Sequence, residues 1–336
     1  MPNRRWTFSL CGAFGSAPRG MLANVLFLKE QEVRELLPMQ QAVQLMRTMF
    51  AELRAGAGQN QPRRRMYLPS ASVLHSMAGA CGKYYGTKIY STNARVRTAE
   101  FLFWLLDAET AKPLALMEAN WLGQIRTGAA SAYATDLLAA KSADRLGVIG
   151  AGFQARSQVE AVAAVRELKQ VRVWSRQESN RVRFAEETTK SLGIEVVPAN
   201  SARDAVEGMP IVTTATWSKD PVVEADWIAP GAVVNAMGSN NPERRELPAD
   251  LIARAGRIVV DSIEVAKIEA GDLLLAWNAA DWSTPRLLEL KDLAAQEARP
   301  PEEVAIFKSN GLGVEDVAVG GWLYEQATSR GVGREI

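Results

Sequence analysis

Val148-Ile149-Gly150-Ala151-Gly152-Phe153-Gln154-Ala155 decides the fold. An apolar run leads into two glycines, and a helical pattern follows from Gln154 to Glu167. A strand that turns into a helix over closely spaced glycines is the setting in which such a turn cradles phosphates. Gly150 allows the tight turn, Gly152 lets the backbone approach a pyrophosphate, and Ala155 takes the third small position, where helix and strand must lie close. The first N–H groups of the helix and the positive end of its dipole then face the anion.

Working outward, the C-terminal side alternates short strands with helices. Leu146–Ile149, Val171–Trp174, Glu195–Val197, Ile211–Thr214, Val233–Ala236 and Ile258–Val260 read as strands, and Glu178–Leu192 as one of the helices between them. This rhythm predicts an α/β fold with a Rossmann-type, doubly wound parallel sheet over residues 141–309. The second strand ends Val173-Trp174-Ser175-Arg176. NAD sites place a carboxylate there for the ribose 2′-OH, and a carboxylate would repel a 2′-phosphate. A hydroxyl and a guanidinium would bind it. Ser175 and Arg176 therefore predict NADP(H) as the preferred cofactor, with NAD(H) second.

On the N-terminal side, Asn120 to about Ala140 is a helix of small residues, Gly128 to Ala132 among them, which implies close packing. Met66–Leu68, Tyr84–Tyr90, Phe101–Leu106 and Leu114–Met117 read as strands; Glu30–Leu37 and Met39–Ala55 read as helices behind a first strand at Val25–Leu28. Residues 1–20 read as a disordered extension, with Met21 as an alternative start. Their Arg4-Arg5 pair and short apolar run resemble a leader only faintly.

The 336 residues are 47% hydrophobic and 23% charged, which fits a folded protein of about two domains. Lys plus Arg number 39 against 38 Asp plus Glu, so no basic field favours nucleic acid. No apolar run is long enough for a membrane helix. Two cysteines, Cys11 and Cys81, and one histidine, His75, cannot build a zinc cluster, so no metal is expected. A cytoplasmic location follows from the same cysteine count. His75 reads as part of a polar loop without a role. Tyr67, Met77, Tyr90, Trp121 and Trp277 could line a side-chain pocket or simply belong to the core.

Three cations remain. Arg64 lies in Gln61-Pro62-Arg63-Arg64-Arg65, Lys88 in the apolar strand Gly86-Thr87-Lys88-Ile89-Tyr90, and Arg126 at the head of the small-residue helix. A buried cation needs a partner, and a substrate carboxylate is one candidate. Taken singly, each is as well explained as a solvated or structural residue, and spacing alone does not bring the three together.

These segments resemble the ornithine cyclodeaminase/mu-crystallin family over about Val25 to Gln326. The resemblance rests on Pro62-Arg63-Arg64, Gly86-Thr87-Lys88, Gln124-Ile125-Arg126-Thr127-Gly128-Ala129-Ala130-Ser131, the glycine turn, Asn235-Ala236-Met237-Gly238, Arg245-Glu246-Leu247, Val260-Asp261-Ser262, Phe307-Lys308-Ser309 and Val314-Glu315-Asp316. It implies a second α/β domain, residues 21–140 plus 310–336, that binds substrate and forms a homodimer, with a returning helix at about Leu312–Ser329. It puts Arg64, Lys88 and Arg126 in the carboxylate-binding places. It puts Thr127, Gly152, Phe153, Gln154, Thr216, Met237 and Ser309 near the dinucleotide.

Members of the family act on the bond between Cα and nitrogen of amino and imino acids. Cyclodeaminases carry an aspartate where Asn240 stands in Gly238-Ser239-Asn240-Asn241-Pro242. An amide cannot carry a proton between groups at neutral pH, so imine reduction or amino-acid dehydrogenation is favoured over ornithine cyclisation. A family threonine is also missing near Gly123. Lys88 is expected either to exchange a proton, its pKa lowered by the apolar strand, or to serve as a carboxylate ligand. A non-catalytic NADPH-binding role is the remaining alternative.

Overall fold

The computed structural model describes residues 25–336 apart from Ala94 and Arg97, so the expectations for residues 1–20 and Met21 lie outside the described residues. In chain order the strands are β1 (Leu26–Leu28), β2 (Gln59–Asn60), β3 (Arg64–Tyr67), β4 (Ser72–Cys81), β5 (Tyr84–Asn93), β6 (Thr98–Asp107) and β7 (Pro113–Glu118). Next come β8 (Arg145–Ile149), β9 (Gln170–Trp174), β10 (Glu195–Pro198), β11 (Ile211–Thr214), β12 (Val233–Ala236), β13 (Arg257–Val260), β14 (Leu287–Glu289) and β15 (Ala305–Lys308). The short β16 (Arg334–Glu335) closes the chain.

Two sheets result. The first runs β16-β1-β7-β6-β5-β4-β2, with β3 also on β4, and is antiparallel except where β1 meets β7. The second runs β10-β9-β8-β11-β12-β15-β13-β14 and is parallel throughout. Its β14 and β15 go beyond the six strands read from the sequence. Both β12 and β15 are buried along their length, which is why their sequences are near-continuous apolar runs rather than alternating ones.

The glycine turn behaves as its sequence demands. Gly150 sits at φ +113°, and a Cβ there would collide with the Ala215 carbonyl. The helix Phe153–Ala163 follows directly, with Ala155 fully buried. The small-residue helix Asn120–Leu138 packs on it so closely that a Cβ on Gly128 would lie 2.7 Å from the Ser157 carbonyl.

In the first sheet one face is core. Met77 and Phe103 are buried there, and the long helix Gly313–Arg330 lies against β4 and β5. The other face leaves Met66, Leu74, Ile89 and Leu102 exposed. One reading from sequence is corrected here: His75 lies in β4, buried, and not in a polar loop. The stretch Ser72–Cys81 has Val73 as its one β-branched residue and no Phe, Tyr or Trp, the types that usually mark a strand, and its pairing to β5 over ten residues makes it one.

Candidate active site

The parallel sheet reverses its strand order between β8 and β11, where Ile149 pairs with Thr214. Ligands of open α/β sheets lie in the crevice at such a reversal, outside the carboxyl ends of the strands. Gly152 opens that crevice: a Cβ there would meet nothing within 4 Å. The Gln154 side-chain oxygen is buried beside it without a partner. Open space, helix N–H groups and an orphaned polar atom together fit the pyrophosphate of a dinucleotide.

Thr216, Met237 and Ser309 follow the carboxyl ends of β11, β12 and β15, which are neighbours in the sheet. The Thr216 hydroxyl donates to Glu246 at 2.7 Å. Glu246 also accepts from the Gly238 N–H at 2.7 Å, so one buried carboxylate ties the loops after β11 and β12 together. Ser131 donates to the Met237 sulfur at 3.1 Å, and the Ser309 hydroxyl donates to Asp261 at 3.2 Å. Thr127 donates to the Gly123 carbonyl at 2.7 Å. At the end of β9, the Ser175 hydroxyl donates to the Gln177 carbonyl at 3.0 Å, and Arg176 is exposed. Arg181, which sequence reading passed over, donates to the Ser175 carbonyl at 3.1 Å and puts a second guanidinium at this corner.

A buried charge cluster lies between the sheets. Lys88 projects from β5 and donates to Asp316 Oδ1 at 2.8 Å. Arg126 donates from Nε to the same oxygen at 3.1 Å and from Nη1 to Glu315 Oε2 at 2.6 Å. None of the four side chains is more than 6% exposed. Gly311, at φ +78°, makes room for Arg126, because a Cβ there would lie 2.5 Å from Nη1. Gly123 leaves space over Lys88, its added Cβ 3.6 Å from Nζ.

Burial pushes Lys88 down to about 8, helped by repulsion from Arg126 and opposed by Asp316. This is the direction an apolar strand implies. Burial pushes Glu315 up to about 7 against the attraction of Arg126. Burial also opposes the charge on Arg126, but Asp316 and Glu315 outweigh it, and Arg126 stays protonated.

The third predicted cation is not brought to this cluster. Asn60 pairs with Gly79 and Arg64 with Ser76, so the register slips by one residue, and Pro62-Arg63 form a bulge. The slip turns Arg64 to the exposed face, in the row of Ser76 and Ile89, while Lys88 and Met77 face inward. Its neighbours Arg63 and Arg65 point in instead. Both donate to Glu269, each at 2.6 Å. Arg63 also holds the Asn310 carbonyl at 2.8 Å, and Arg65 the Asn240 carbonyl at 2.9 Å. The loop that carries half-buried Asn240 is thus fastened to the antiparallel sheet.

Of the pocket candidates, Met77 and Tyr90 lie on the inward face. Tyr90 is sandwiched between His75 at 4.2 Å and Phe101 at 4.6 Å, ring centre to ring centre. Burial, with Arg65 and Arg63 adding repulsion, lowers His75 to about 4. Tyr67 is exposed, Trp121 lies under Arg34, and Trp277 packs on Trp282. Sequence reasoning assigned no role to Glu315, Asp316 or Glu269. The first two were legible as acids in a first helical turn, where they normally face water.

Such a parallel sheet, with an open glycine turn at its strand reversal and a buried ion cluster beside it, defines a dinucleotide-binding α/β protein. The chain belongs to the ornithine cyclodeaminase/mu-crystallin family, whose model matches residues 23–331. It is 36% identical over 250 residues to a Delta(1)-pyrroline-2-carboxylate reductase of Bacillus cereus, covering 71% of this chain and 75% of that one. Among solved structures, the Delta(1)-pyrroline-2-carboxylate reductase of Thermococcus litoralis, in complex with NADH and L-proline, superposes with a TM-score of 0.88 at 31% identity; the match covers 93% of this chain and 100% of that one. An archaeal alanine dehydrogenase dimer with bound NAD gives 0.87 at 30% identity, over 93% and 98% of the two chains.

Proposed function

We propose that this protein is an NADP(H)-dependent oxidoreductase acting on the Cα–N bond of an imino or amino acid. The observation that carries the reading is the position of the Lys88–Arg126 pair. Arg126 lies against Gly311, just beyond the end of β15, so the two cations stand at the carboxyl edge of the sheet that offers the dinucleotide crevice. When bound, the dinucleotide supplies or accepts a hydride at its nicotinamide ring.

Lys88 and Arg126 hold the substrate carboxylate and so orient Cα. Arg126 is suited to this because its Nη2 has no hydrogen-bond partner among the described residues. Lys88, lowered to about 8, can also give and take a proton near the substrate nitrogen. Asn240 stands where a cyclodeaminase has its aspartate and cannot do so, which favours net oxidation or reduction over ammonia release. Reductase and dehydrogenase are the two directions of one reaction.

Ser175, Arg176 and Arg181 support a preference for the 2′-phosphorylated dinucleotide. We further read residues 141–309 as the dinucleotide-binding domain and 21–140 plus 310–336 as the substrate-binding and dimerisation domain. The exposed apolar row Met66, Leu74, Ile89 and Leu102 supports a homodimer through the outer face of the antiparallel sheet. A free Cys81 thiol fits a reducing, cytoplasmic setting. A panel of cyclic imino acids and α-amino acids, read by oxidation of NADPH or reduction of NADP, tests the function. Turnover of at least one member is expected; tight NADPH binding without turnover of any would overturn it. Among the described residues no helix is long and apolar enough to cross a membrane.

A further inference from the structure

We infer that the pocket formed by Lys88, Arg126, Glu315 and Asp316 is built for a ligand of zero net charge, a carboxylate that also carries a protonated nitrogen, and that it admits a bare carboxylate only together with a proton from solvent. This rests on the reading that Lys88 and Arg126 hold the substrate carboxylate, and it adds the charge state of what they hold.

The argument is one of neutrality in a dry place. Two cations and two carboxylates share hydrogen bonds here, and both carboxylate side chains are fully buried. The charged groups facing the cluster from other elements are Asp261, after β13, and Arg63, from the bulge before β3. Asp261 already accepts from the backbone N–H groups of Asn310 and Gly311, each at 2.6 Å. Arg63 shares Glu269 with Arg65. Counting these, four cations meet four anions, and the set balances as it stands.

A ligand carboxylate arriving at Lys88 and Arg126 would leave one negative charge in excess. An uncompensated charge in a low-dielectric site is costly, and a titratable group nearby takes up a proton instead. A ligand that brings its own N–H⁺ removes the excess without one. The acceptors for that group are already in place: Glu315 Oε1 and Asp316 Oδ2 are buried and have no partner. Buried acceptors without donors are uncommon and point to a donor supplied from outside. The groups that can take up the solvent proton are Glu315, raised to about 7, and Lys88, lowered to about 8, and both titrate close to neutrality.

The test uses the full chain saturated with NADPH, so that neither ligand reacts. Furan-2-carboxylate is the bare anion and L-proline the zwitterion of matching size. Titration calorimetry in two buffers of different ionisation enthalpy gives the protons taken up, and affinities are followed from about pH 8 to 9. At each pH furan-2-carboxylate should take up about one proton more than L-proline, and its Kd should rise about tenfold more steeply per pH unit. What the two ligands share is the proton that Lys88, at about 8, regains on binding.

In Glu315→Gln the preference should shift about tenfold or more toward the anion. Failure of furan-2-carboxylate to bind, binding with no more proton uptake than L-proline, or an unchanged preference in Glu315→Gln overturns the inference. The outcomes separate from those of the function. Proton-linked anion binding in a protein that turns over no imino acid keeps this inference and removes the enzyme. Turnover with anion binding that takes up no extra proton does the reverse.

Discussion

In the parallel sheet the groups that face the crevice are mostly backbone, and its central strands β11, β12 and β15 are buried from end to end. Lys308 on β15 is fully buried and sealed by Asp272 at 3.0 Å. In the antiparallel sheet the working groups are charged side chains, presented on alternate positions of strands that have one core face and one outer face. The first arrangement depends on two glycines and a helix end in one short segment. The second depends on register, because the side chains that meet come from β5, the small-residue helix and the C-terminal helix. A dinucleotide shared by many enzymes can be met by a local backbone motif, whereas a particular substrate is met by side chains that only the assembled fold brings together.

That contrast can be broken most sharply at Lys88. Lys88→Ala should lower kcat/KM by about 10²- to 10⁴-fold while NADPH affinity, measured by fluorescence titration, stays near its original value. A matching loss of NADPH binding would mean that the two sheets do not divide the work. Arg176→Glu probes the other side. It should weaken NADPH by about 10- to 100-fold and leave NADH nearly unchanged, and equal losses for both nucleotides would remove the assignment at Ser175-Arg176.

Within the antiparallel sheet, the bulge makes neighbouring arginines unequal. Arg63→Ala should cost about 1.5–3 kcal/mol in denaturant unfolding, because it strips a partner from buried Glu269. Arg64→Ala should stay within about 0.5 kcal/mol. Reversed magnitudes would put the strand in the other register.

The smallest effect is one of pH. His75 is the sole histidine, and its folded pKa of about 4 lies below the unfolded 6.5. Between those values the unfolded chain binds more protons, so stability falls as pH drops from about 6.5 toward 4. His75→Gln should show a shallower fall over that window in chemical denaturation; an identical slope would mean that His75 is not buried in its neutral form.

The same contrast explains what the sequence revealed. The glycine turn, the helix after it and most of the parallel strands were legible because each is a local pattern. Short β15 escaped notice, although Val304–Phe307 is the continuous apolar run of a strand buried on both faces. Lys88 and Arg126 stood out as cations in unusual settings, and family resemblance gave them a common place. Their counter-ions did not stand out, since Glu315 and Asp316 look like ordinary acids at a helix start. Arg64 was assigned by family resemblance, whereas a one-residue bulge that no local pattern announces turns Arg63 and Arg65 inward and Arg64 out. His75 was lost with β4, whose strand character comes from pairing.

The C-terminal helix starts against β4 with no side chain between them: a Cβ on Gly79 would overlap the backbone of Val314, and one on Gly313 the backbone of Ala78. This fit sets an order of events during synthesis. Lys88 leaves the ribosome 228 residues before Asp316, and Arg126 leaves it 190 residues before. Until residues 313–330 have been made, the nascent antiparallel sheet has two cations without their buried partners and an open groove where the helix will seat. The parallel sheet has all its strands before then, so it can mature first on the growing chain. Arrival of the helix Gly313–Arg330 is what locks the rest.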